Sequence, residues 1–598
     1  VITMAREYDR RNLDFILKEV FDTASLCNYP RYADYTPDMF DMVLDSADAI
    51  AEKYLRPIYV DSDRKAAELV DGVVYVHPGI EPYIKEMGES GMIGCTFDIE
   101  HGGQQVPSMI GGAHEFIRGA AHNSAVMFTG LSHGAAHLIA SFGSKELADT
   151  YVPHMLSGKW TGTMCLTEPQ AGSSLNDAST SAKDLGDGTY AIKGQKIFIS
   201  GGDNHFSENI IHLVLARLEG APAGTKGISL FVVPKKRIEN GTLVNNEVVS
   251  LGVYHKMGQK ATPALHLSFG DKGNSIGYLV GEPNKGLSYM FQMMNEARLG
   301  VGMGGAYIAS AAYHASKQYA NERAQGRLLT NKDPNTPPTL IKNHPDVQRM
   351  LYFQKAIVEG SMGLLFQCFM WDDLAKSLEG EEKKEAQMML DLMTTVAKTY
   401  PAEMGTQAVN QGLQVLGGYG YTEDFPLEQM ARDVRIMSIY EGTTGIHGLT
   451  LLGRGIPANN GAALQTLGKL VYADIAVAKG HESIAKYAGM LEKELENLTK
   501  VTMHKLGFAM KGEIEVFLAD STLYMELFGL ITVAWQWLKQ GHVAAAALAK
   551  GGLSSEDEAF YKDKIHTMKF FYHYEVPKAL GLSTRLMDEE VLTIFDHK

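Results

Sequence analysis

The sequence predicts an α+β fold that is mostly α, with a compact β-domain set between helical ones, and three observations carry that reading. Apolar residues recur at helical spacing through the first 159 positions, as Phe40, Val43, Leu44, Ala47, Ile50 and Ala51 do. From Trp160 the pattern alternates, and Gly, Pro and Asn punctuate short apolar runs until about residue 282. Helical periodicity then returns and continues nearly to the last residue. A chain of 598 residues, 45% of them hydrophobic, is longer than one core supports, so several packed domains are expected.

Taken in order, residues 1–159 read as an N-terminal helical domain. The opening stretch has no basic segment followed by an apolar core, so no secretory signal is expected. Residues 160–282 read as the central β-domain. There Tyr190-Ala191-Ile192 and Lys196-Ile197-Phe198-Ile199-Ser200 are expected to form a hairpin through Lys193-Gly194-Gln195, with further strands at 212–218, 227–233 and 264–269. Residues 283–455 read as a helical bundle: Met290 to Met294, Ala306 to Tyr319 and Val347 to Phe366 are its periodic runs, and the proline-rich 331–338 is a loop. The glycines of Gly300-Val301-Gly302-Met303-Gly304-Gly305 lack a preceding strand, so they predict close helix packing rather than a dinucleotide loop. Glu379 to Glu385 reads as a solvated turn and helix start. Residues 456–598 form an appended helical domain, whose most apolar run, Leu527 to Leu538, is too short to span a bilayer and reads as buried helix.

Four scattered cysteines without a CxxC pair suit a reducing compartment and provide no metal cluster. A net charge of -15 opposes nucleic-acid binding. Together these predict a cytoplasmic protein with no transmembrane segment and no nucleic-acid partner. His133 and His137 read as core or surface residues rather than catalytic ones.

One carboxylate stands apart. Glu441 lies between the apolar run Val434 to Tyr440 and the turn Gly442-Thr443-Thr444, where partial desolvation would raise its basicity toward a carbon acid. Upstream, Gln414-Val415-Leu416-Gly417-Gly418-Tyr419-Gly420 offers exposed backbone to a large ligand. A third segment, Leu166-Thr167-Glu168-Pro169-Gln170-Ala171-Gly172-Ser173, can turn N-H groups and hydroxyls toward a phosphate.

With Tyr440-Glu441-Gly442-Thr443, these segments resemble the acyl-CoA dehydrogenase family in the expected order, over roughly residues 50–455. The appended block is similar to that of the family's large bacterial members, the 3-methylmercaptopropionyl-CoA dehydrogenase type. The resemblance implies FAD as cofactor and an acyl-CoA substrate, with Glu441 as the base. It implies that Leu166 and Thr167 meet the flavin ring, Gly172 and Ser173 the pyrophosphate, and Phe198 and Ser200 the ring's other side. Phe198-Ile199-Ser200 stands where the family often has Trp-Ile-Thr. Arg323, Gln414, Gly417 and Gly418 would reach the FAD of a neighbouring subunit, implying a homodimer or higher homo-oligomer, and Thr443 would contact cofactor. Arg298, in a motif resembling Asp-x-x-Arg with Asn295 in place of Asp, would support the active site. Electron-transfer flavoprotein is the implied acceptor. Two alternatives share the fold: an acyl-CoA oxidase that passes electrons to oxygen, and a DNA-damage-response flavoprotein. The closing Asp596-His597-Lys598 is not the tripeptide that peroxisomal oxidases often carry, and the acidic balance disfavours the second alternative.

Overall fold

The structure, a computed structural model, describes residues 6–595, so the first five residues and the closing tripeptide lie outside it. The chain divides into two compact units, one running from Asp38 to Ala297 and the other combining the residues up to Pro37 with those from Arg298 onward.

In the first unit, helices Pro37–Ile50, Ile80–Glu89, Ser108–Ala121, Val126–Phe142 and Lys145–Leu156 precede the β-domain. The small hairpin Glu68–Val70 with Val73–Tyr75 is an element the helical reading missed. Its signal was Asp71-Gly72, both at positive φ, which makes the tight turn that matches strand twist. Helix Val126–Phe142 lies on strand Trp160–Cys165 through small residues. The Gly162 N-H donates to Ser132 Oγ at 3.0 Å, and a Cβ at Gly162 would stand 2.8 Å from that of Ala135.

The β-domain is built on an eight-stranded sheet, ordered Val248–Val253, Ala264–Phe269, Tyr190–Ser200, Ser275–Val280, Ile228–Pro234, Asn209–Leu218, Trp160–Cys165, with a separate two-stranded hairpin of Lys236–Glu239 and Thr242–Asn245. Strand Ser181–Asp184 bonds both Tyr190–Ser200 and Asn209–Leu218 and so closes a ring. The apolar side chains Ile192, Val214, Phe231 and Val232 are buried. The expected hairpin at 190–200 is corrected: Tyr190–Ser200 is a single strand that changes partners midway. Its first half pairs with Ser275–Val280 and Ser181–Asp184, its second with Ala264–Phe269. Alternation continues straight through Gly194, whose missing side chain lets Thr180 approach to within what would be 2.8 Å of a Cβ, so the glycine marks close backbone approach rather than a turn.

In the second unit, helix Gly286–Glu322 contributes its part from Arg298 on, where Gly302 lies against Leu365 of Pro345–Ser377 and Ala397 of Gly380–Val415. The glycine run works as helix-packing surface, as expected. A Cβ on Gly302 would meet Ala397 O at 2.1 Å, and one on Gly305 would meet Pro401 O at 2.3 Å. The apolar run 527–538 is buried within helix Ser521–Lys550, where Trp537 Nε1 donates to Ala356 O at 2.9 Å. Among the described residues no helix is long and apolar enough to cross a membrane. The N-terminal residues dock here too: Phe15 meets Phe560 edge-on at 5.4 Å, and the Tyr32 hydroxyl donates to Asp373 Oδ1 at 2.7 Å.

Because the Gly302 contact is with backbone that cannot rotate aside, Gly302→Ala should cost about 1–3 kcal/mol of stability. Denaturant unfolding measures it, and an unchanged midpoint would contradict the close helix approach.

Candidate active site

Within the β-domain unit, the loop after strand Trp160–Cys165 is tied to strand Tyr190–Ser200 by a buried ion pair. Glu168 and Lys196 stand 2.8 Å apart with side chains 1% and 0% exposed. Lys196 also donates to Leu166 O at 3.0 Å, while the Ile197 N-H donates to Thr167 O at 3.0 Å. The Glu168 carboxylate accepts from Ser179 N, Ser179 Oγ, Thr180 N and Gln170 Nε2 as well. Burial would raise its pKa, but Lys196 and these donors bring it down to about 2. Burial also depresses the Lys196 ammonium, against the pull of its partner carboxylate.

This staple brings together four of the expected residues: Leu166 and Thr167 on the loop, Phe198 and Ser200 at the end of the strand. Phe198 has φ 56° and is 59% exposed, beside Tyr254 at 4.6 Å between ring centroids. Left-handed backbone under an exposed aromatic is strain of the kind concentrated at ligand sites. Gly172 and Ser173 are exposed farther along the loop. A Cβ on Gly172 would meet only Thr167 Cγ2, at 3.6 Å, so space remains beside its backbone for a ligand. In the same unit Glu296 lies 3.1 Å from His137 Nδ1 and 3.6 Å from His133 Nε2, so both histidines face one carboxylate in a cluster that sequence reasoning did not find.

The second unit holds Glu441. It follows helix Leu427–Val434 and the short 435–438 turn, and it precedes helix Thr444–Thr450, whose N-cap is Thr443 with its hydroxyl accepting from Ile446 N at 3.4 Å. Glu441 and Gly442 both have positive φ, 56° and 88°. The Glu441 carboxylate is partly open to solvent yet densely enclosed. Burial raises its pKa, opposed by Lys398 and then Arg298. Arg298 is therefore a neighbour of Glu441, and its Nε is buried without a partner among the described residues. The Glu441 backbone N-H likewise finds no acceptor there. Two residues that sequence reasoning missed hold the turn. His447 Nε2 is 2.9 Å from Glu441 O, and Lys398 Nζ donates to Gly442 O at 2.8 Å. The signal was weak: a lone lysine inside the buried stretch Thr394 to Ala402, and a histidine six residues past the base.

Arg323, Gln414, Gly417 and Gly418 are all exposed. Tyr319, one turn before Arg323, packs on Phe425, and Phe425 packs on Tyr419, which puts them on one side of this unit. Gly417 has φ 58° and, like Gly418, faces open space where a Cβ would stand.

Lys196→Met, which strands Glu168, should destabilise the protein by about 3–5 kcal/mol at pH 7. The Glu168 carboxyl is held below its ordinary 4.5, so its contribution is complete above about pH 4.5 and is lost as pH falls toward 2. Urea unfolding should therefore show the gap between wild type and Lys196→Met narrowing from pH 5 to pH 3. A gap that stays constant would contradict the staple.

Comparison with known proteins fits this geometry. Models described as the N-terminal, middle and C-terminal domains of acyl-CoA dehydrogenase match residues 38–159, 163–271 and 343–456. An "Acetyl-CoA dehydrogenase C-terminal like" model matches 467–594. The 3-methylmercaptopropionyl-CoA dehydrogenase of Ruegeria pomeroyi is 34% identical over 558 residues, covering 92% of this chain and 93% of that one. The broad-specificity linear acyl-CoA dehydrogenase FadE5 of Mycobacterium tuberculosis is 32% identical over 98% of this chain and 97% of its own. In fold, the chain matches a Bacillus anthracis acyl-CoA dehydrogenase complexed with FAD, with a TM-score of 0.74 at 20% identity over 95% of this chain and 91% of that one. A buried loop-to-strand staple, a carboxylate on a reversed turn and a four-part match along the chain lead to one conclusion: the chain belongs to the acyl-CoA dehydrogenase family, with the extra C-terminal domain of its large members.

Proposed function

We propose that the chain dehydrogenates an acyl-CoA thioester between its α and β carbons, giving a trans-2-enoyl-CoA, with Glu441 as the base that takes the α-proton. The carrying observation is the Glu441–Gly442 turn, where a carboxylate raised in pKa by burial stands beside two cations that keep it ionisable. The proton beside a thioester carbonyl is weakly acidic, so its removal needs a positioned base and a donor for the developing enolate oxygen. The Glu441 N-H, without an acceptor among the described residues, supports that donor role. FAD, the family's cofactor, supplies the acceptor for the β-hydride when bound.

In this reading Leu166, Thr167, Phe198 and Ser200 border the flavin ring, and Gly172 and Ser173 meet the pyrophosphate. The room left beside Gly172 and the exposed, strained Phe198 support that fit. Thr443 caps the helix behind the base, and its cofactor contact is part of the proposal. Arg298 shares the electrostatic surroundings of Glu441. Arg323, with a planar fork suited to phosphate, would reach a neighbouring subunit's FAD together with Gln414, Gly417 and Gly418, and their shared exposed side supports a homo-oligomer. The relatives named for 3-methylmercaptopropionyl-CoA and for linear acyl-CoAs support an acyl-CoA thioester as substrate class. Electron-transfer flavoprotein is the proposed acceptor.

Glu441→Gln keeps size and hydrogen bonding but removes the base. Turnover with an acyl-CoA and an artificial electron acceptor should fall about 10²–10⁴-fold with FAD retained. Wild-type turnover in that variant would contradict the assignment.

A further inference from the structure

The Glu441–Gly442 turn is gripped at both of its carbonyls by side chains that proton transfer itself does not require. His447, from helix Thr444–Thr450, reaches Glu441 O at 2.9 Å, and Lys398, from the middle of helix Gly380–Val415, reaches Gly442 O at 2.8 Å. Both side chains are buried, at 0% exposure. A carbonyl only accepts, so His447 carries its proton on Nε2. Burial, with Lys398 and Arg298 nearby, keeps the ring neutral by bringing its pKa down to about 3. Its Nδ1 is buried without a partner among the described residues, and the buried Lys398 ammonium is pushed down to about 8. Leaving such groups in the interior costs free energy. Both costs fall at the same two-residue turn.

Gly442 fits the grip. Its φ of 88° disfavours any side chain, and a Cβ there would stand 2.7 Å from His447 Nε2. The helix bearing His447 is backed by the appended domain, because a Cβ on Gly448 would meet Ser521 O at 2.8 Å.

We propose that His447 and Lys398 are positioning residues for Glu441, a two-point clamp on consecutive carbonyls that fixes the left-handed turn and so aims the carboxylate and its backbone N-H. The proposal rests on the reading of Glu441 as the base. Released from the clamp, the turn relaxes toward ordinary backbone angles. A displacement of about 1 Å at a reacting group costs about 100-fold in rate. Lys398 acts in a second way. Among the described residues the charged and titratable groups facing Glu441 are Lys398, Arg298 and His447, and Glu403 faces Lys398 in turn. Removing the ammonium leaves, among the described residues, Arg298 to oppose burial at Glu441, so the acidic limb of kcat/KM moves to higher pH.

The test compares four FAD-loaded variants, Glu441→Gln, His447→Leu, His447→Gln and Lys398→Met, for flavin absorbance, thermal unfolding, and kcat and KM across pH. His447→Leu should lose about 10–100-fold in kcat with KM little changed and flavin retained. His447→Gln, whose amide N-H can still donate to the carbonyl, should recover most of that loss. Lys398→Met should lower kcat and move the acidic limb upward. The clamp is overturned if folded, flavin-loaded His447→Leu turns over at the wild-type kcat, or if His447→Gln is as slow as His447→Leu. An unmoved acidic limb in folded Lys398→Met overturns the electrostatic half. Should Lys398→Met not fold, the two His447 variants decide alone. Wild-type turnover in Glu441→Gln removes the base reading itself, an outcome distinct from a failed clamp.

Discussion

A carboxylate that deprotonates a weak carbon acid must be dehydrated enough to be basic and still ionised when the substrate arrives. These demands oppose each other, since burial that raises basicity also favours the protonated form. At Glu441 burial, the larger effect, is opposed by Lys398 and Arg298, two cations brought in from different helices. Much of the bundle follows from that balance. Lys398 can stand there because helix Gly380–Val415 lies against helix Gly286–Glu322 through Gly302 and Gly305, and any larger residue would hold those backbones apart. The turn in turn requires glycine at 442, where both φ and the nearness of His447 leave no room for a Cβ.

The β-domain solves a parallel problem with the same device. A loop that leaves the sheet cannot rely on regular ladder bonds to hold its shape. Here Glu168 collects donors from residues 170, 179 and 180, and Lys196 ties it to the strand carrying Phe198. In both units a buried charge holds irregular backbone, and Phe198 and Glu441 in those segments both have positive φ.

What the sequence made legible was whatever has a short period or a local motif. Helical recurrence identified the long helices, alternation located the β-domain, and the glycine run at 300–305 read correctly as packing surface for want of a preceding strand. Misreadings came where local signals compete. Lys193-Gly194-Gln195 has the composition of a turn, yet the alternation on either side keeps one phase, and the strand continues with a change of partner. Asp71-Gly72 was a genuine hairpin signal hidden by the helical pattern around it. The pair of Glu168 with Lys196, 28 residues on, and of Gly442 with Lys398, 44 residues back, leave no trace in spacing, because tertiary packing alone brings them together. The residues proposed to carry chemistry were legible as motifs. The groups that hold them were not.

The most direct test of the account is an anaerobic titration of the purified, FAD-loaded protein with acyl-CoA thioesters of graded length and 3-substitution, followed by the visible flavin spectrum. At least one thioester class should bleach the flavin band as the α-proton is taken and the enoyl product forms. Flavin that remains oxidised with every thioester in the series would contradict it.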